Sequence, residues 1–156
     1  MKSKEFMRSD DAVAVSVGFI LMFAVTVLLF TAIIISFYSL SQSTEKSAMK
    51  ESFKVMGSGL AAKMTMVDTL VNITKSYGGT VNTLEYEFTL PATVANKPYR
   101  INVTNSTYKI ILDAENGASV GIPLNMSTNF YADEIYSGAE NYIFVYKNDT
   151  IYIEEV

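Results

Sequence analysis

The 156-residue chain contains no cysteine, no histidine and no tryptophan. Without cysteine there is no disulfide to reinforce a small fold and no thiolate for nucleophilic or metal chemistry. Without histidine the chain lacks the usual general base, the usual metal ligand and the usual charge switch near neutral pH. No Ser-His or Cys-His pair can form, and no glycine-rich phosphate loop is present, so neither catalysis nor a cofactor is expected. The net charge of −4 argues against a nucleic-acid surface.

What the chain does have is a long run without a formal charge, Ala12 to Thr44, with an apolar heart from Val13 to Tyr38. As a helix those 26 residues rise about 39 Å, more than the roughly 30 Å of a bilayer's hydrocarbon. A secretory signal peptide has an apolar region of only about 7–15 residues, so a retained helix is expected, held in a membrane or among copies of itself. Lys2, Lys4 and Arg8 precede it, and Lys46, Lys50 and Lys54 follow it. That balance leaves its orientation undecided.

Beyond Ser39 the helical period continues. Met49, Phe53, Met56, Leu60, Met64, Val67 and Val71 recur at spacings of three and four, one stripe of an amphipathic helix. The stripe would pack against the following domain or a neighbouring molecule. Gly57 and Gly59 interrupt it at about 1 kcal/mol each and mark a bend or a close contact. Helix is therefore expected over 10–75, as one element or two in line, with an apolar part at 12–38 and an amphipathic part at 45–74. Gly78 and Gly79 end it.

From residue 80 to 156 the period becomes two. Strands are expected at Leu84–Leu90, stopped by Pro91, and at Tyr99–Val103 and Tyr108–Leu112 around a turn near Asn105. Another follows the Asn116-Gly117 turn, over about 118–124. The last two, Asn141–Tyr146 and Thr150–Ile153, pair across Lys147-Asn148-Asp149. The fold class is thus α+β: a long hydrophobic N-terminal helix, then a small head of six antiparallel strands in a meander or sandwich, a lollipop in outline.

Within the apolar run, Ala12, Val13, Gly18, Ile20, Leu21, Met22, Ala24, Thr26 and Val27 stand in one register. This segment, with its Gly-x-Ile-Leu-Met-x-Ala-x-Thr core, resembles the N-terminal segment of archaeal type IV pilin-like proteins. It departs at Ala14 and Val15, where that family usually has Ser-Pro. The resemblance covers about 30 residues. It implies a class III signal leader over residues 1–9, cut by a prepilin peptidase near Arg8, Ser9 and Asp10. It further implies assembly on a platform into a helical filament, with Asp11, Gly18, Met22 and Thr26 in the helix-packing region. Family members often carry Gly or Ala where Ser9 stands. Cleavage after Ser9 would leave nine Lys/Arg against fifteen Asp/Glu, with Asp10 and Asp11 beside the positive end of the helix dipole.

Five Asn-x-Ser/Thr sequons, at Asn72, Asn102, Asn105, Asn125 and Asn148, all follow the apolar run, as sites on an external domain must. Asn105 and Asn148 fall in expected turns. The acidic pairs Asp133-Glu134 and Glu154-Glu155 could hold Ca²⁺, but adjacent acids of this kind are usually solvated, and no metal site is expected. The ten tyrosines suit strands and a small core.

The expected function is that of a pilin-like structural subunit serving adhesion or motility, with itself as partner, a membrane before assembly and the cell surface afterwards. The alternative is a non-polymerising single-pass protein whose β-domain binds an envelope partner such as a surface layer, a secretion complex or the archaellum apparatus.

Overall fold

The computed structural model describes residues 3–104, 107–131, 134–138 and 141–155, with side chains from residue 13 onward. One helix, α1, runs Ser3–Ser76 without a break at Gly57 or Gly59. It starts ahead of the expected residue 10, because Lys4, Glu5, Met7 and Arg8 are good helix formers and no breaker separates them from the apolar run. Thr26, Thr31 and Ser36 donate their hydroxyls to the carbonyls of Met22, Val27 and Ala32 at 2.8, 2.9 and 2.8 Å. This leaves no side-chain donor unpaired at these three positions of the apolar segment. The C-terminus closes as a Schellman motif: Gly78, at φ 78°, and Gly79 donate to the carbonyls of Lys75 and Thr74 at 3.0 and 2.9 Å.

The chain divides into two compact units, Met1–Ser43 and Thr44–Val156. The second half of α1 therefore belongs with the strands. Those strands are β1 Thr83–Thr89, β2 Tyr99–Thr104, β3 Lys109–Ala114, β4 Ser119–Pro123, β5 Asn129–Phe130, β6 Glu134–Tyr136, β7 Asn141–Lys147 and β8 Thr150–Glu155. They form two four-stranded sheets, ordered β1-β7-β8-β5 and β4-β3-β2-β6.

Two expectations are corrected. The described residues hold eight strands rather than six; β5 and β6, of two and three residues, are too short to carry a period-two signal. Nor is every pair antiparallel, since Asn129 and Phe130 of β5 pair in parallel with Thr150 and Ile151 of β8. The three expected hairpins form in register: Ile101 opposite Leu112, Ile111 opposite Gly121, and Tyr146 opposite Ile151.

The core of the second unit is shared by the helix and both sheets. Met49, Phe53, Leu60, Met64, Val67 and Val71 of α1 are buried with Phe88, Tyr142, Phe144 and Tyr146 of one sheet and Tyr99, Ile101, Ile110 and Leu112 of the other. The methionine-rich stripe is thus internal to the unit, filling gaps with flexible side chains. Phe53 meets Tyr99 with ring centroids 5.6 Å apart, and Phe88 stacks on Phe144 at 4.3 Å. Gly57 marks the close contact anticipated at one of the two glycines: a Cβ there would lie 2.7 Å from both Ile122 and Leu112. Gly59 faces open space.

Candidate functional site

The apolar segment of α1 forms the first candidate site. From Val13 to Leu40 every residue is exposed. Phe19, Met22, Leu28, Phe30, Ile34 and Phe37 each show more than half of their surface, 63–73%. A soluble helix hides one apolar stripe; a helix apolar all round needs an apolar environment on every side. This helix is long and apolar enough to cross a membrane, by length and composition. Its backbone donors and acceptors bond along the helix, as a hydrocarbon setting demands.

Gly18, Met22 and Thr26 follow each other at four-residue intervals, so the helix places them on one face. Gly18 has nothing within 4 Å of a would-be Cβ, and Met22 is 73% exposed. Among the described residues, nothing covers this face. Arg8, Ser9, Asp10 and Asp11 stand on the first turns of α1, and their side chains lie outside the described residues.

A second surface was not singled out from the sequence. On α1 within the second unit, Thr44, Ala48, Ser52, Val55, Gly59, Ala62, Met66, Leu70 and Ile73, with Tyr77 just past the helix end, are all exposed. They recur at spacings of three and four, so they form one lane along the helix, on a different face from the buried stripe. None carries a charge, although Glu45, Glu51, Lys54 and Lys63 are close by in sequence. The signal that could have found it was this charge-free stripe, but the stronger methionine-rich stripe masked it.

The sequons separate by environment. Asn72 is half-buried on α1, where its carboxamide bonds Asp68. Asn102 is half-buried in β2, between Ile111 of β3 and Glu134 of β6, and accepts from the Thr104 hydroxyl at 2.9 Å. Asn105 lies outside the described residues. Asn125 is exposed in the β4–β5 connection, and Asn148 is exposed at the β7–β8 turn with φ 51°.

Two polar contacts hold these last two loops. Asp68, only 5% exposed, accepts from the backbone of Ser127 and Thr128 at 3.0 and 2.8 Å. Burial pushes its pKa up, but bonds from the Thr128 hydroxyl, both backbone N–H groups and Asn72 outweigh it and hold the carboxyl below its ordinary value. Asp149, beside Asn148, accepts from Tyr146 Oη and from Lys75 Nζ, both at 2.6 Å. Those bonds lower the Asp149 pKa and raise that of Lys75.

Of the acids considered for Ca²⁺, Asp133 lies outside the described residues. Glu134 accepts from Arg100 Nη1 at 3.0 Å, and the Arg100 Nε pairs with Asp113. Glu134 is thus already engaged by a cation. Glu154 and Glu155 are exposed on β8. Tyr99, Tyr142 and Tyr146 are core residues; burial first, then Tyr142, pushes the Tyr99 hydroxyl up to about 12.

A family model matches residues 8–154. The chain belongs to the DUF7266 family. The function of that family is unknown. The matched stretch takes in the apolar segment and the strand-bearing unit together, so both are features of the family. No curated protein and no solved structure matches the chain.

Proposed function

We propose that this member of the DUF7266 family is a pilin-like structural subunit of an archaeal type IV pilus-like surface filament, working in adhesion or motility. The observation that carries the reading is the fully exposed apolar segment Val13–Leu40, in the register described for such proteins. A helix of this kind is satisfied in lipid and equally among identical helices, so a subunit can wait in the membrane and be drawn into a filament at small cost. Head-to-tail contacts that do not close on themselves then propagate as a helical polymer.

The uncharged lane from Thr44 to Tyr77 supports the same reading. It offers neighbouring copies a path free of like-charge repulsion, with Gly59 and Ala62 allowing close approach. A prepilin peptidase would release the leader near Ser9 before assembly, and an assembly platform would receive the cut subunit.

The test is to shear filaments from native cells and identify their main component, using the wild-type chain and Met66→Glu, a change on the exposed lane away from the core. The reading predicts filaments made of this chain, and a Met66→Glu subunit that folds, stays in the membrane and makes no filaments. A chain recovered only as a stoichiometric membrane complex with another envelope protein, with no filaments in the wild type, would overturn it.

A further inference from the structure

We propose that Asn125 and Asn148 carry N-linked oligosaccharides, and that Asn72 and Asn102 do not. The proposal rests on the reading that the strand-bearing unit lies outside the membrane, where sugar transfer takes place.

Transfer joins the Asn Nδ2 to the anomeric carbon of a lipid-linked sugar phosphate. The new C–N bond forms as the C–O bond to phosphate breaks. One Nδ2 proton leaves to a base of the transferase, and the lipid phosphate departs. A bulky polar chain then stands on the carboxamide. Whether transfer precedes folding or follows it, the folded product must hold that chain in solvent.

Asn125 and Asn148 meet the condition. Both side chains are exposed, and both lie in connections between strands. Asn148 and Asp149, at φ 51° and 60°, form a two-residue turn at the tip of the β7–β8 hairpin. Their loops are held by other residues: Asp68 takes the backbone of Ser127 and Thr128, and Tyr146 and Lys75 take Asp149. Neither anchor uses the Asn carboxamide, so the sugar displaces none of these bonds. Asn102 fails because it is half-buried in a strand bonded on both sides, by β3 and by β6. Asn72 fails because it is half-buried on a helix and engaged with Asp68.

The test is intact mass and peptide mapping of the full chain purified from its native cells, beside Ser127→Ala and Thr150→Ala. These variants remove each sequon while keeping the Asn. Each should lower the intact mass by one oligosaccharide, and the mapped Asn72 and Asn102 peptides should be unmodified. An unmodified Asn125 or Asn148, or sugar on Asn72 or Asn102, overturns the proposal. A single Glu87→Cys, at an exposed position of β1, in a chain with no other thiol, tests the underlying reading separately with a membrane-impermeant maleimide on whole cells. Labelling without sugar on either asparagine refutes the modification and keeps the external placement; no labelling refutes the placement and the modification with it.

Discussion

The Asp68 carboxylate on α1 receives the backbone N–H of Thr128 at 2.8 Å, across a sequence separation of 60 residues, and does so at only 5% exposure. This contact ties the β4–β5 connection to the helix. A buried carboxylate costs several kcal/mol unless its lone pairs are filled; here two backbone N–H groups, a hydroxyl and a carboxamide fill them.

Asp68→Asn turns one acceptor into a donor facing backbone donors. The expected loss is about 1–3 kcal/mol of unfolding free energy, read by denaturant titration of the detergent-solubilised full chain at pH 7. The pH dependence follows from the sign of the shift. The folded pKa lies below the unfolded value, so the Asp68 contribution is complete above about pH 4 and is lost as pH falls through the lower folded value. In wild type the melting temperature should drop as acid is added below about pH 4; in Asp68→Asn that share of the drop should be missing.

Gly57 and Gly59 stand two residues apart on one helix and should respond oppositely to alanine. A Cβ at Gly57 lies 2.7 Å from Ile122 and Leu112, so Gly57→Ala overpacks the core and should cost about 1–3 kcal/mol. A Cβ at Gly59 meets nothing, and Gly59→Ala should gain about 0.5–1 kcal/mol from helix propensity alone. Thermal melts of both variants check the pair. Equal effects would mean the helix does not pack against β3 and β4 through Gly57.

Leu28, 69% exposed near the middle of the apolar segment, should not accept a charge. Leu28→Lys places an ammonium where insertion costs about 2.5–3.5 kcal/mol. The fraction of the chain that resists alkaline extraction from membranes should fall, while Leu28→Ala should leave it near the wild-type level.

Much of this architecture was legible in the residues because the signals were local and strong. The stripe Met49–Val71 at spacings of three and four announced a packed helix, and the alternation Leu84, Tyr86, Phe88 announced β1. Gly78 and Gly79 marked the helix end, where Gly78 takes the left-handed conformation at φ 78°. What escaped was decided at long range. Phe130 pairs in parallel beside Ile151 on the edge that the β7–β8 hairpin provides, a partner about twenty residues away, and two residues carry no period. Asp68 read as one more helix charge, because the groups that bury it arrive nearly sixty residues later. The exposed lane through Val55 and Met66 was overshadowed by the stronger stripe on the same helix.

The most direct test of the filament-subunit account is the N-terminal sequence and intact mass of the protein taken from the surface of its native cells. The account predicts a chain beginning at or next to Asp10, its leader removed ahead of the apolar helix. A surface protein that still begins at Met1 would contradict it and leave an uncut, membrane-anchored binding protein in its place.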